Sequence, residues 1–399
     1  MLVLVAPGQG AQAPGFLTPW LDVPGVHDRL RRWSEVTDLD LVHYGTAADA
    51  EEIRDTAVAQ PLLVAAGLVA ADVLFGHLAD AASCVGAAAG HSIGEFTAAA
   101  VAGVLTPESA LTLVGERGRA MAAATDAGRG AAPTGMTAVL GGEEGEVLAA
   151  LERHGLTPAN INGAGQIVAA GTADQLAAFA ADPPPKARLR PLSVAGAFHT
   201  QHMTPAVDAL RQVAAVTPVA EPEIGLLSNR DGAVVRKGTD MLARLVDQVS
   251  APVRWDACMR TMGELGVSAI IELPPAGTLA GLARRALPGV EILALKTPDD
   301  LEAARVLVAA HATTVGDCDH EPEWRLLVAP LAGTFQADSI PIGTSVERDK
   351  AIGRVVARRE EQPVAPPYDG TLVEWLVEDG DPVSAGQPLV RIQPQVVVA

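Results

Sequence analysis

Residues 85–103 read VGAAAGHSIGEFTAAAVAG. A short apolar run, Val85 to Ala89, leads into Gly90-His91-Ser92-Ile93-Gly94, and Glu95 to Gly103 continues with helix-forming residues. A glycine on each side of a serine lets a strand turn sharply into a helix and leaves the hydroxyl exposed at the turn. The pattern recurs on both sides of this stretch. Met1 to Ala6 is a continuous apolar run that stops at Pro7-Gly8-Gln9-Gly10, as a buried strand feeding a glycine turn does. Residues 58–80 and 109–125 read as helices. Ser268 to Leu273, Ala276 to Ala286 and Val290 to Leu295 read as strand, helix and strand. Strand, tight turn and helix in succession predict an α/β fold, a hydrolase-like core whose mostly parallel sheet is covered by helices.

Between these halves the texture differs. Met136 to Leu140, residues 142–154, Gln166 to Ala170, residues 173–181 and Ala187 to Leu192 read as strand, helix, strand, helix, strand. This rhythm predicts an inserted ferredoxin-like α+β subdomain over about residues 130–197. Residues 313–325 include TTVGDCDHEPEW, acidic and without apolar periodicity, and are expected to form a linker. From Leu326 onward, short alternating runs separated by Gly, Pro and Asp predict an all-β module over residues 326–399.

The chain has 399 residues and a formal charge of -19, so nucleic acid and anionic membrane surfaces are poor partners. Aromatic residues are only 3%, so the core must be built from Ala, Val, Leu and Ile. Cys84, Cys258 and Cys318 form no close pair, which fits a reducing cytoplasm. The N-terminus lacks the basic region of a signal peptide. The longest apolar run, Pro61 to Ala71, meets Asp72 short of a membrane span.

Read alone, Ser92 is either a nucleophile at a helix N-terminus or an ordinary turn residue. A nucleophilic serine needs a base, and His199 and His202 are the candidates, following an apolar approach just after the insert. His91 adjoins Ser92, and neighbours on a strand point to opposite faces. His27, His43, His77, His154, His311 and His320 read as solvated. Gly8-Gln9-Gly10 lacks both nucleotide-binding fingerprints, which leaves close-approaching backbone N–H groups as its use. Arg117, in an apolar helix, is either paired with Glu116 or Glu95 or a clamp for a carboxylate. No metal site is expected.

With these residues in place, the chain resembles the malonyl-CoA:acyl carrier protein transacylase family. The motifs are PGQGAQ (7–12), AQPLL (59–63), GHSIGE (90–95), ERG (116–118), MTAVLGG (136–142), NINGAGQIVAAG (160–171), VAGAFHTQHM (194–203), SNRDG (228–232), QVSAPVRW (248–255) and LPPAGTLAGL (273–282). They span residues 1–312. The resemblance implies malonyl-CoA and acyl carrier protein as partners, Ser92 as nucleophile and His199 as base. It implies an oxyanion hole from the N–H groups of Gln9 and Ile93, and Arg117 on the malonyl carboxylate. The carbonyl of Ala251 is expected to orient His199. Gln60, Asn160 and Gln166 match polar cleft positions, and Phe198 resembles the pattern of malonyl-preferring transferases.

PLAGTF (330–335) and residues 364–392 resemble a biotinyl/lipoyl carrier domain, a flattened barrel. Such domains carry biotin or lipoate on a hairpin lysine. Here residues 356–364 match that hairpin and Arg359 falls at the lysine position, while Lys350 lies too early. An unmodified, degenerate module without cofactor is expected. Two rival readings remain: the malonyl transferase subunit of a malonate decarboxylase-type system, suggested by the tail, and an α/β-type serine hydrolase, suggested by GxSxG. An acidic carrier protein needs local positive charge on its partner. Lys186, Arg188, Arg190, Arg284 and Arg285 are the candidates, or else these are solvated faces.

Overall fold

The computed structural model describes residues 1–129, 132–194, 196–312, 325–338, 340–357 and 360–394. The chain divides into two compact units, Met1–Cys318 and Asp319–Ala399.

The first unit opens with β1 (Leu2–Ala6), buried along its whole length. Its side chains alternate between two cores, as a strand's period of two requires. Leu2, Leu4 and Ala6 join one cluster, and Val3 and Val5 join the other. This is why the run is apolar throughout: both faces of the strand are covered. Helices α1 (Val26–Thr37) and α2 (Leu41–Thr46) precede α3 (Thr56–Phe75). α3 is long and apolar enough to cross a membrane, yet 83% of its most apolar window is buried inside the unit. It is a core helix, and it stops at Gly76 (φ +86°), with a short 3-10 turn, Leu78–Ser83, after it. The helix expected over residues 58–80 is therefore two elements.

β2 (Ala87–Gly90), α4 (Gly94–Val101) and α5 (Pro107–Arg129) follow. The insert comes next, as β3 (Thr134–Gly141), α6 (Glu144–Arg153), β4 (Thr157–Gly163), β5 (Gln166–Thr172), α7 (Ala173–Ala181) and β6 (Ala187–Pro191). Its strands are ordered β6-β3-β5-β4, antiparallel, with both helices packed on one face over Val139, Leu151, Ile167 and Phe179. That is the ferredoxin-like succession, with one strand, β4, that sequence reading missed. The unit then continues through α8 (Thr204–Ala214), β7 (Gly225–Leu227), β8 (Val234–Val235), α9 (Gly238–Asp247), β9 (Val253–Arg254), α10 (Trp255–Glu264), β10 (Ala269–Glu272), α11 (Thr278–Ala286), β11 (Glu291–Ala294) and α12 (Leu301–His311).

The main sheet runs β11-β10-β1-β2-β7-β8, parallel except for the β7–β8 hairpin. Ala6 pairs with Gly90, so the two glycine turns leave the sheet side by side at its carboxyl edge. Open α/β sheets place their sites at this edge. β9 pairs parallel with β4 and so ties the insert's sheet to the returning chain.

The second unit holds β12 (Arg325–Val328), β13 (Gly333–Ala337), β14 (Ser345–Val346), β15 (Gly353–Val356), β16 (Glu361–Val364), β17 (Gly370–Trp375), β18 (Pro382–Val383) and β19 (Pro388–Pro394). They form two four-stranded antiparallel sheets, β12-β19-β17-β14 and β16-β15-β13-β18. Phe335, Val355, Leu372, Leu389 and Ile392 share one core between them. β15 and β16 make a hairpin in which Ala357 N–H donates to the Glu360 carbonyl at 2.8 Å. Arg359 and the expected linker's residues 313–324 lie outside the described residues.

Candidate active site

At the edge of the main sheet, Ser92 sits between β2 and α4 with φ +53°, in the left-handed region. Neither flanking glycine can be replaced without displacing backbone. A Cβ on Gly90 would lie 1.9 Å from the Gly94 carbonyl carbon, and one on Gly94 would lie 2.2 Å from Ala6 O. The turn is thus crowded on both sides, and the serine between carries the strain.

Asn229, fully buried just after β7, holds this turn. Its Oδ1 accepts from Ser92 N–H at 2.7 Å and its Nδ2 donates to the Gly90 carbonyl at 2.7 Å. Its own N–H donates to Glu95 Oε1 at 2.7 Å. With the Ser92 amide occupied, the N–H of Ile93 at the head of α4 and that of Gln9 in the neighbouring turn remain. Neither donates to any described residue. Both line the same cleft as Ser92, as an oxyanion hole requires.

Ser92 Oγ lies 2.8 Å from His199 Nε2. His199 is also at positive φ (+61°) and is buried. Its Nδ1 donates to the Gln248 carbonyl at 3.0 Å, which fixes the neutral tautomer with Nε2 free to accept the serine proton. Here the sequence expectation needs correction. Ala251 is not the principal orienting carbonyl. Residues Gln248–Ser250 form a 3-10 turn that aims the Gln248 carbonyl at the ring, and Ala251 O interacts more weakly. Burial, then the nearby Arg117 charge, pushes His199 down to about 3, so the resting imidazole is uncharged.

Of the two candidate histidines, His199 lines the cleft and contacts Ser92. His202, in the 3-10 turn Gln201–Met203, does not line the cleft. His91 points into the insert instead, with Nε2 2.8 Å from Asn162 Oδ1 on β4 and its ring edge-on to Trp255. Of the histidines expected to be solvated, His27, His43 and His77 are exposed. His154 packs against Phe179, and His311 Nδ1 lies 2.8 Å from Ser268 Oγ, so these two are partly buried structural groups. His320 lies outside the described residues.

Arg117, on α5, is 1% exposed. Its NH1 donates to Gln60 Oε1 at 2.7 Å, and its NH2 donates to Gln248 Oε1 at 3.0 Å and to Ser92 Oγ at 3.4 Å. The pairing with Glu116 does not form, since Glu116 lies on the outer face of α5 and pairs with Arg119 at 3.2 Å. Glu95 acts on Arg117 only through its field. Its carboxyl is committed to Asn229, and burial pushes it up to about 8. Burial likewise lowers Arg117 to about 10, with Glu95 opposing. At neutral pH the cleft therefore holds a desolvated cation beside a nucleophile, with mainly neutral carbonyls for company.

The cleft has a volume of about 520 Å³. Asn160, Gln166 and Phe198 line it as expected, with Asn160 on β4 and Gln166 on β5. Sequence reading missed Asn229 and Gln248. Each lies inside a motif that was noticed, SNRDG and QVSAPVRW, but their partners are more than 100 residues away in the chain.

Comparison with known proteins decides the family. The model of the acyl transferase domain matches residues 3–312. The chain belongs to this acyltransferase family. Among the family's curated members, the malonyl CoA-acyl carrier protein transacylase of Mycobacterium tuberculosis is 51% identical over 307 residues, 76% of this chain and 98% of the relative. That of Bacillus subtilis is 30% identical, over 76% of this chain and 96% of the relative. Among solved family structures, MCAT from Mycobacterium tuberculosis superposes with a TM-score of 0.73 at 51% identity, covering 76% of this chain and 99% of that one. A malonyl-transacylase in complex with a type II PKS acyl-carrier protein matches at TM-score 0.70 and 28% identity, covering 77% and 99%. The family's match ends at residue 312, before the all-β unit.

Proposed function

We propose that the chain transfers a malonyl group from malonyl-CoA to the phosphopantetheine thiol of acyl carrier protein, through a malonyl ester on Ser92. One observation carries the choice of acyl group: the buried Arg117 guanidinium lies against the nucleophile's own oxygen, 3.4 Å from Ser92 Oγ. A carboxylate one methylene from the reacting carbonyl meets a cation that close. Acetyl would leave the buried cation without an anion, which is costly.

In the first half-reaction Ser92 Oγ attacks the thioester carbonyl as His199 Nε2 takes its proton. The developing oxyanion is held by the N–H groups of Gln9 and Ile93. Collapse expels the CoA sulfur, which takes the proton from His199. In the second half His199 takes the proton of the carrier's thiol, the thiolate attacks the malonyl ester, and Ser92 leaves with that proton. The orienter of His199 is a carbonyl, so no buried anion stabilises the imidazolium. A thioester is reactive enough to need less push than an amide. The hydrolase alternative expects a carboxylate on Nδ1, and Gln248 occupies that place. No cofactor enters these steps.

The carrier protein is proposed to dock beside the cleft, along the edge strand β6 of the insert's sheet. Arg190 pairs with Ala138 and Arg188 with Leu140, so both share the face of Ala138, a cleft residue. Both are exposed on the edge strand β6. Lys186, Arg284 and Arg285 are exposed too, the last two in the final turn of α11, whose Thr278 and Leu282 line the cleft. The double reversal Arg188→Glu/Arg190→Glu is expected to lower kcat/KM for carrier protein by about tenfold or more, and loading from malonyl-CoA by much less. Equal rates of transfer to carrier by wild type and variant would remove this face from the docking surface.

The domain boundaries are proposed as 1–312 for the transferase, 313–325 for the linker and 326–399 for a degenerate biotinyl/lipoyl-like module. The two-sheet architecture and the β15–β16 hairpin support the last reading. An intact mass of the full chain carrying a biotinyl or lipoyl increment would contradict it.

A further inference from the structure

Arg117 is a buried cation whose close partners are neutral. Gln60 Oε1 and Gln248 Oε1 accept from its two terminal nitrogens. Two donors beside them have nothing to give to. Arg117 Nε and Gln248 Nε2 are buried without an acceptor among the described residues. Gln248 is itself only 4% exposed, so bulk solvent does not reach that amide. An unsatisfied buried donor is costly, and two side by side are a reason to look for an acceptor that is brought to them.

Gln248 does not line the cleft itself but lies behind it, where it touches both halves of the machinery. Its backbone carbonyl holds His199, and its side chain holds Arg117. A carboxamide oxygen is the weaker acceptor for a guanidinium, and a carboxylate is the stronger. The two ends of the amide exchange places by rotation about one side-chain bond, which needs no movement of the backbone that orients the base.

We propose that the Gln248 carboxamide is a resting-state stand-in for the substrate carboxylate and a determinant of acyl selectivity. Before substrate arrives, Oε1 satisfies Arg117. When an acyl group bearing a free carboxylate arrives, that carboxylate takes the place of Oε1 on Arg117, and Nε2 turns to donate to it. Both orphaned donors then find an acceptor. A neutral acyl group displaces nothing, and the orphans persist. The inference rests on the malonyl-transfer reading above and extends it to a residue outside the Ser–His–Arg set. Glu95 acts on Arg117 only from a distance and with opposite sign, and its carboxyl is held by Asn229 and does not move with the substrate.

The test is Gln248→Glu, with Gln248→Met as a second variant, each loaded separately from malonyl-CoA and acetyl-CoA and followed by intact mass. Glutamate puts a fixed carboxylate of the same size on Arg117. The ratio of malonyl to acetyl loading rates is expected to fall by about 100-fold, the equivalent of two tenfold steps in transition-state binding. Methionine removes both the acceptor and the donor, and the ratio is expected to fall by about tenfold. Equal losses for the two substrates in both variants would overturn the proposal, since a merely structural glutamine, or one acting only through its backbone carbonyl, slows both alike. An unchanged ratio in either folded variant would overturn it too. Failure of the wild-type enzyme to load malonyl at all is a separate result, and it would fall on the transferase reading instead.

Discussion

Replacing His199 with alanine is expected to slow malonyl loading of the enzyme by roughly 10²- to 10⁴-fold, the usual contribution of a positioned general base. The loss should fall on kcat, because the ring touches the nucleophile and not the CoA arm. Ser92 Oγ has Arg117 as its other neighbour, and a cation cannot accept the proton. The pH profile carries a second signature. His199 is held far below its ordinary value of 6.5, by burial first and by the Arg117 charge second. A depressed value means that the neutral, competent form persists as pH falls. The acid limb of kcat/KM, which reports the free enzyme, is therefore expected well below pH 6.5. Stopped-flow loading across a pH series checks both points.

Arg117→Met is expected to reverse the acyl preference. Removing one partner of a buried, hydrogen-bonded charge pair costs about 2–5 kcal/mol, so kcat/KM for malonyl-CoA should fall on the order of 10²- to 10³-fold. Acetyl-CoA has no carboxylate to lose and gains a less polar pocket, so its rate should hold or rise. The same change removes the second cause of the His199 depression. The base should titrate closer to its ordinary value, and the acid limb should move up in pH, the opposite direction from any further burial. A variant that loses malonyl and acetyl loading in equal measure would show that Arg117 only supports the turn around Ser92.

The elbow was legible in the sequence because its constraints are local. An apolar strand, two glycines that cannot carry a Cβ and a helix with a free first turn lie within 20 residues, and the structure places Ser92 there at positive φ. The parallel strand reading of Met1–Ala6 worked for a similar reason: a strand covered on both faces has no polar positions. β4 escaped notice because the alternation in its TPANING sequence is short, Ala159 and Ile161 against Asn160 and Asn162, and Pro, Asn and Gly are poor strand formers. Asn160 and Asn162 line the cleft instead of packing into a core.

Contacts that depend on long-range packing were not legible. Asn229 reaches the Ser92 amide across 137 residues, and Gln248 reaches Arg117 across 131. Nothing near either residue announces its partner. The orienting carbonyl was placed three residues late, at Ala251, because a 3-10 turn decides which carbonyl points at the ring, and turn geometry does not show in QVSAPVRW. The ambiguity over Arg117 had the same origin. An ion pair with Glu116 and a carboxylate clamp read alike along one helix, and only the tertiary packing turns Arg117 inward and Glu116 outward.

The most direct measurement mixes the full-length chain with malonyl-CoA in the absence of carrier protein, quenches with acid and reads the intact mass, followed by peptide mapping. A single malonyl group on the peptide containing Ser92, absent from Ser92→Ala and discharged on adding phosphopantetheinylated carrier protein, is the predicted result. No adduct on the wild-type chain, or an adduct that survives in Ser92→Ala, would contradict it.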